Sequence, residues 1–284
     1  MRVVLAIINV LAAMTKIILA AAVQLHSTED KARNVDAAVG LVSDAAARGA
    51  TLVALPELFN CIGRWETIVA EAEPLSGPTL RRMSELAAEL GITLLAGSIA
   101  ERTDVAGKVF NTSLLFGPDG RQLACYRKRH LFDVDVPDKV TVRESDSVLP
   151  GEEIAATSLP DFTLGQAICY DLRFPELFRQ LADRKADVIA IPAAFAFTTG
   201  CDHWEVLLRA RAIENQAFVI APNQHGRHTP TLQSYGRSMI IDPWGTVLAT
   251  AADGESVALA ELDFQRLRDI RRHLPALAHR RRDG

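Results

Sequence analysis

Four cysteines in 284 residues, at positions 61, 125, 169 and 201, are too few and too scattered to staple a chain of this size. None forms the Cys-x-x-Cys pair of zinc or thiol-exchange sites. They read as free thiols, which places the protein in a reducing cytoplasm. An excess of one charge is lacking too: 31 Lys and Arg stand against 35 Asp and Glu, a net charge of −4. Such a balance leaves no electrostatic footprint for nucleic acid. Hydrophobic runs of membrane length are also missing. The apolar opening from Val3 to Met14 is interrupted by Asn9 and soon followed by Lys16, shorter than a bilayer span requires, so no membrane partner is expected. Arg2 before that stretch also fits a signal peptide, but cleavage near Ala20 to Ala22 would cut Ile17 to Leu25, which reads as a buried strand. The expectation is therefore a possible N-terminal extension or mis-assigned start at 1–13, and a single domain over 14–284 with no linker or low-complexity break.

What is present is ordinary globular material, 49% hydrophobic and 23% charged. Short apolar runs alternate with helical patterns: Ile17 to Gln24, Asp30 to Arg48, Thr51 to Leu55, Thr79 to Leu90, Ile92 to Ser98. That alternation predicts an α/β fold. Pro78 opens and Gly91 stops the second helix. The turn chemistry of Gly117-Pro118-Asp119-Gly120 predicts a hairpin between Asn111 to Phe116 and Gln122 to Tyr126. The layering then repeats: strand Thr163 to Ile168, helix Pro175 to Arg184, strand Val188 to Ile191, helix His203 to Asn215, strand Phe218 to Pro222. A second hairpin, Ser238 to Ile241 with Thr246 to Thr250, turns at Asp242-Pro243-Trp244-Gly245. Arg127 to Pro150 is charged and aperiodic, the mark of a functional loop or mobile segment. Arg271, Arg272 and Arg280 to Arg282 read as a solvated basic C-terminal tail.

Cys169 closes the apolar run Gly165-Gln166-Ala167-Ile168 and so sits at a strand's carboxyl end, the edge where α/β sheets build ligand sites. A buried, inert thiol is the competing reading. A free thiol is only a few per cent thiolate at neutral pH, roughly, so a nucleophilic Cys169 needs a base or a cation beside it. Glu57, ending the run Leu52 to Pro56, could be that base. Lys128, in Arg127-Lys128-Arg129-His130 after the strand at Tyr126, could stabilise an oxyanion. Taken singly, Glu57 also fits a surface carboxylate, and the basic run a solvated face.

Together these segments resemble the nitrilase superfamily of carbon-nitrogen hydrolases. Leu55-Pro56-Glu57-Leu58-Phe59, Tyr126-Arg127-Lys128-Arg129-His130-Leu131-Phe132 and Ile168-Cys169-Tyr170-Asp171-Leu172-Arg173-Phe174-Pro175-Glu176 carry the likeness. The resemblance implies a nitrilase-like four-layer αββα sandwich, a homodimer or higher homo-oligomer, and a Glu57, Lys128, Cys169 triad. It also implies that Glu144 orients the lysine, and it requires neither metal nor organic cofactor.

Within the superfamily the chain is similar to the Nit branch, through Asp135-Val136-Pro137, Thr198-Thr199-Gly200, the run His203 to Glu214 and Asp242 to Gly245. That branch resembles amidases that free 2-oxoglutarate from a terminal amide. Arg209 to Glu214 and Gly226-Arg227-His228 look more like members acting on deaminated glutathione than like those acting on 2-oxoglutaramate. Arg237 stands where relatives commonly have histidine.

The expected mechanism is a thioester on Cys169, with the Tyr170 backbone N–H sharing the oxyanion with Lys128. Arg173 could bind a substrate carboxylate, or pair with Glu176 to hold a helix start, and Thr199 could add a hydroxyl. The small-molecule amide itself is left open. Three rivals are weaker. One is a Cys-His protease, whose local signature the surroundings of Cys169 lack. Another is a metal hydrolase using His225 and His228, which no acidic ligand set surrounds. The third is a non-catalytic binding protein of the same fold, against which the intact Glu57, Lys128 and Cys169 set argues.

Overall fold

A computed structural model describes residues 17–136 and 140–281. The expectations for 1–13, for a start at Met14, and for Pro137 and Arg282 lie outside the described residues. In the first half the strands are β1 (Ile17–Gln24), β2 (Leu52–Ala54), β3 (Thr93–Leu95), β4 (Ile99–Arg102), β5 (Val109–Phe116), β6 (Gln122–Arg127), β7 (Asp133–Val136), β8 (Val140–Arg143) and β9 (Val148–Leu149). The second half supplies β10 (Ala156–Ser158), β11 (Thr163–Gln166), β12 (Val188–Ala190), β13 (Phe218–Ala221), β14 (His225–Arg227), β15 (Gln233–Tyr235), β16 (Met239–Ile241), β17 (Val247–Thr250) and β18 (Ser256–Asp263). The helices are α1 (Lys31–Ala47), α2 (Trp65–Ala70), α3 (Pro78–Leu90), α4 (Pro175–Asp183), α5 (Phe197–Asn215) and α6 (Phe264–His273).

One sheet runs β18-β1-β2-β3-β5-β4, with β6 and β9 also on β5, and the other runs β10-β11-β12-β13-β16-β17. The period-two alternation of strand side chains decides how they stack. Ile18, Ala20, Ala22, Leu52 and Ala54 from the first sheet meet Leu164, Val188, Ala190, Phe218 and Ile220 from the second in one buried cluster. Their neighbours Ala21, Val23, Val53 and Leu94 point outward onto Ala38 and Val42 of α1 and Leu80, Met83 and Leu86 of α3. Ile189, Val219 and Ile241 likewise face Phe178 and Leu181 of α4 and Trp204 and Leu208 of α5. The result is the expected four-layer αββα sandwich. No helix among the described residues is long and apolar enough to cross a membrane, and all four cysteines are free thiols.

Local signals account for the helix ends. The Asp30 side chain accepts from Arg33 N, Pro78 sits in the first turn of α3, and Gly91 ends it in the left-handed region at φ 62°.

Three expectations change. Helix α5 starts at Phe197, six residues before His203, with Gly200 N already bonded to Ala196 O at 2.8 Å and Gly200 the one buried residue of the added turn. Gly200 packs so closely on Tyr235 that a Cβ there would lie 2.4 Å from the tyrosine Cβ. The aperiodic stretch after Arg127 folds as a β7–β8 hairpin, a 3-10 turn at Glu144–Asp146 and strand β9. Finally, Arg271 is no tail residue: on α6 it donates to Asp187 Oδ1 (2.6 Å), Ala186 O (2.9 Å) and Gln216 O (3.0 Å). Arg280 pairs with Asp183 at 2.9 Å, while Arg272 stays exposed beside Asp269.

The chain leaving β3 controls the chain leaving β2. Ser98 Oγ accepts from Leu58 N at 3.0 Å and Ser98 O from Phe59 N at 3.1 Å, so both residues after Glu57 are tied to the neighbouring strand end. Gly97 makes that approach possible, with φ +45° and no room for a side chain: a Cβ would lie 2.0 Å from Pro56 O. Gly97→Ala is predicted to cost at least about 3 kcal/mol, because steric clash and backbone strain add. Urea denaturation checks this, and a cost below about 1 kcal/mol would contradict the packing described.

Candidate active site

Three chain segments leave their strands at the same edge of the sandwich. Glu57 comes three residues after β2, Lys128 directly after β6, and Cys169 three residues after β11. All are buried, with Lys128 2%, Glu57 3%, Glu144 3% and Cys169 8% exposed. Lys128 Nζ donates to Glu57 Oε1 at 2.8 Å and to both oxygens of Glu144 at 3.0 and 2.9 Å. Glu57 is held further by Asn111 Nδ2 on the same oxygen and by Ala194 N on the other, each at 2.8 Å. Glu144 arrives on the 3-10 turn after β8, and its carboxylate also accepts from Phe132 N.

The electrostatics follow from packing two carboxylates and one ammonium away from water. Burial pulls the Lys128 ammonium down, but Glu144, Glu57 and Cys169 more than offset it, and its pKa stands well above the usual lysine value. Burial pushes the Glu144 carboxyl up and Glu57 adds to that, against the pull of Lys128. Burial also pushes the Cys169 thiol well up; Glu57 adds to this by charge and hydrogen bonding, outweighing Lys128. The thiol is thus protonated near neutral pH, with a carboxylate as its hydrogen-bond partner.

Cys169 itself has φ 45°, a conformation non-glycine residues rarely adopt. It opens the 3-10 turn Cys169–Arg173. Tyr170, second in that turn, presents its N–H before the first turn bond, from Asp171 N to Ile168 O. The thiol faces a cleft of about 810 Å³ walled by Arg64, Trp65, Thr141, Arg143, Thr229 and Leu232. A narrower side pocket lies against Tyr170, Arg173, Phe195 and Thr199.

A model of the carbon-nitrogen hydrolase family matches residues 19–272. The chain belongs to that family. Human deaminated glutathione amidase is 44% identical over 271 residues, covering 93% of this chain and 83% of that protein. Human omega-amidase NIT2 is 39% identical over 263 residues, covering 93% and 95%. Among solved structures, Saccharomyces cerevisiae Nit3, a member of branch 10 of the nitrilase superfamily, superposes with a TM-score of 0.85 at 32% identity, over 95% of this chain and 97% of that one.

In this carbon-nitrogen hydrolase chain the expected residues fall into two groups. Glu57, Lys128, Glu144 and Cys169 converge as described. Arg173 does not pair with Glu176; its guanidinium lies 5.2 Å from the Phe195 ring and 5.8 Å from the Tyr170 ring, and Nη1 is 3.3 Å from His203 Nδ1. Thr199, in the first turn of α5, lines the same side pocket. Arg237 lies outside both pockets, paired with Asp253 at 3.0 Å. His228 has both ring nitrogens engaged, with Ser27 O at 2.7 Å and Ser234 Oγ at 2.9 Å, and burial lowers its pKa to about 4.

Asn111 and the Ala194 N–H were not singled out from sequence. Asn111 carried one signal, a polar residue inside an apolar strand; a backbone N–H carries none.

Lys128→Met leaves Glu57 and Glu144 buried without their cation, and is predicted to destabilise the fold by roughly 3–5 kcal/mol at pH 7. Burial already holds the Glu144 carboxyl above its ordinary value and loss of the cation raises it further, so the penalty is greatest at neutral pH and shrinks as acid protonates that carboxyl. Denaturation midpoints at pH 7.5 and 5.5, each relative to wild type, test the sign: the gap should narrow at pH 5.5.

Proposed function

We propose that the protein is a cysteine-dependent amidase that hydrolyses the amide of a small carboxylate or 2-oxo acid through a thioester on Cys169. The observation that carries this reading is the buried Glu57–Lys128–Glu144 cluster at the thiol. Glu57 takes the Cys169 proton as sulfur attacks the amide carbon. The negative charge given up by Glu57 then reappears on the carbonyl oxygen, where Lys128 Nζ and the Tyr170 N–H meet it. Glu57 passes the proton to the departing nitrogen. A water deprotonated by the same carboxylate then attacks the thioester, releasing the acid and regenerating the thiol. Glu144 keeps the ammonium oriented.

Deaminated glutathione is the favoured substrate and 2-oxoglutaramate the alternative, a choice supported by the identities to the relatives named for those activities. Arg173 supplies the cation for the substrate carboxylate, supported by its place beside the thiol and by the absence of a Glu176 partner; Thr199 adds a hydroxyl. The chain from residue 14 onward acts as one domain, in the cytoplasm, as a homodimer or larger assembly. The exposed apolar side chains of Val206 and Ile213 on α5, and of Trp244 nearby, support self-association.

Cys169→Ala is expected to abolish amide turnover in a folded protein, and Glu57→Gln to lower kcat by about 10²- to 10⁴-fold. Retained turnover in either, measured by steady-state assay on deaminated glutathione and 2-oxoglutaramate, would sink the mechanism; strong preference for nitriles would sink the amidase reading. Arg173→Lys should chiefly raise KM for carboxylate substrates, and an unchanged KM would reduce Arg173 to a packing role.

A further inference from the structure

Asp171 is fully buried, two residues past the thiol, and stands outside the proposed proton path. Its carboxylate is filled by four donors. Oδ1 accepts from His130 N at 3.0 Å and from His130 Nδ1 at 2.6 Å. Oδ2 accepts from Ile168 N at 2.9 Å and from the Tyr126 hydroxyl at 2.6 Å. Tyr126 and His130 lie two residues to either side of Lys128, and Ile168 immediately precedes Cys169. One side chain therefore grips the chain on both sides of the ammonium and just before the sulfur, across two sheets.

We infer that Asp171 is a positioning residue that fixes Lys128 against Cys169 for the oxyanion step. The inference rests on the reading of those two residues as the reacting pair. Two observations show what the grip adds. Cys169 holds a positive φ, which persists only where surroundings over-determine it; the Ile168 N bond does so from one side, and the bond from Cys169 N to Pro192 O (2.9 Å) from the other. Lys128 is the first residue beyond β6; its backbone is tied to Asn111 O (2.9 Å) and by Gly151 N (2.7 Å), and Asp171 fixes the residues two places to either side of it. The His130 ring, which donates to Asp171, is stacked on Phe174 at 3.8 Å, so the grip continues into the start of α4.

A carboxylate is required here because all four partners donate. Asparagine in either orientation sets its NH2 against a backbone N–H, that of Ile168 or that of His130. Neither can turn to accept, so at least one backbone bond is lost and replaced by a donor–donor contact.

The test is steady-state kinetics of Asp171→Asn, with folding checked by circular dichroism. A displacement of about 1 Å at a reacting group costs up to about 100-fold, so kcat should fall at least 10-fold while KM stays within twofold, since the substrate anchor is untouched. A folded Asp171→Asn with kcat within threefold of wild type, or one whose loss appears only in KM, overturns the inference.

If that variant does not fold, Tyr126→Phe and His130→Phe decide the matter, the latter keeping the ring stack. Each removes one donor and should lower kcat at unchanged KM, whereas unchanged kcat in both overturns the inference. Cys169→Ala tests the underlying reading separately. Loss of turnover there with full turnover in Asp171→Asn would sink the positioning role alone; turnover surviving Cys169→Ala would sink both.

Discussion

A lysine ammonium buried between two carboxylates is the constraint around which the rest of the site is arranged. Lys128 touches both Glu57 and Glu144 within 3.0 Å and is almost wholly out of water. Such a group is tolerable only when every lone pair and proton is met. Hence Asn111, Ala194 N and Phe132 N converge on the two carboxylates. Burial keeps the neighbouring sulfur neutral and Glu57 adds to it, because a thiolate would be a further anion beside a carboxylate, an effect that Lys128 offsets only in part. In the proposed mechanism the nucleophile is therefore made at the moment of attack, not stored, which separates it from a preformed thiolate–imidazolium pair.

The two-sheet architecture serves that cluster by delivering three strand ends to one edge. Parallel pairing of β1, β2 and β3, and of β11, β12 and β13, aims their carboxyl ends the same way, and face-to-face packing closes the distance between the sheets. Glu57 comes from one sheet and Cys169 from the other. Any slip of the sheets would pull Glu57 from Cys169, so the inter-sheet core of Ala20, Ala54, Val188 and Ala190 contributes to site geometry as well as to stability. Small residues there let the sheets approach.

The parts of the molecule that were legible in sequence share one property: their signal is local. The extent of β1, the Pro78 and Gly91 boundaries of α3, and the two hairpins each follow from periodicity or turn chemistry within a dozen residues. Cys169, Glu57 and Lys128 stood out because each ends an apolar run, although their meeting became legible only through the family resemblance. What was hidden depends on distant partners. The first turn of α5 lies where Gly200 packs on Tyr235; Arg271 is structural because Asp187 and Gln216 lie across from α6. Glu144, named in the sequence only through the family resemblance, comes from a stretch with no periodicity and is held by Phe132 N and Lys128. No propensity records a carbonyl or carboxylate dozens of residues away.

The most direct test of the account is to look for the acyl group on sulfur. Intact-mass spectrometry of enzyme acid-quenched during turnover of a slow amide substrate, followed by peptide mapping, should show the acyl mass added at Cys169, labile to hydroxylamine as a thioester is. Productive turnover with no adduct under single-turnover sampling, or an adduct mapped to any other residue, would contradict it.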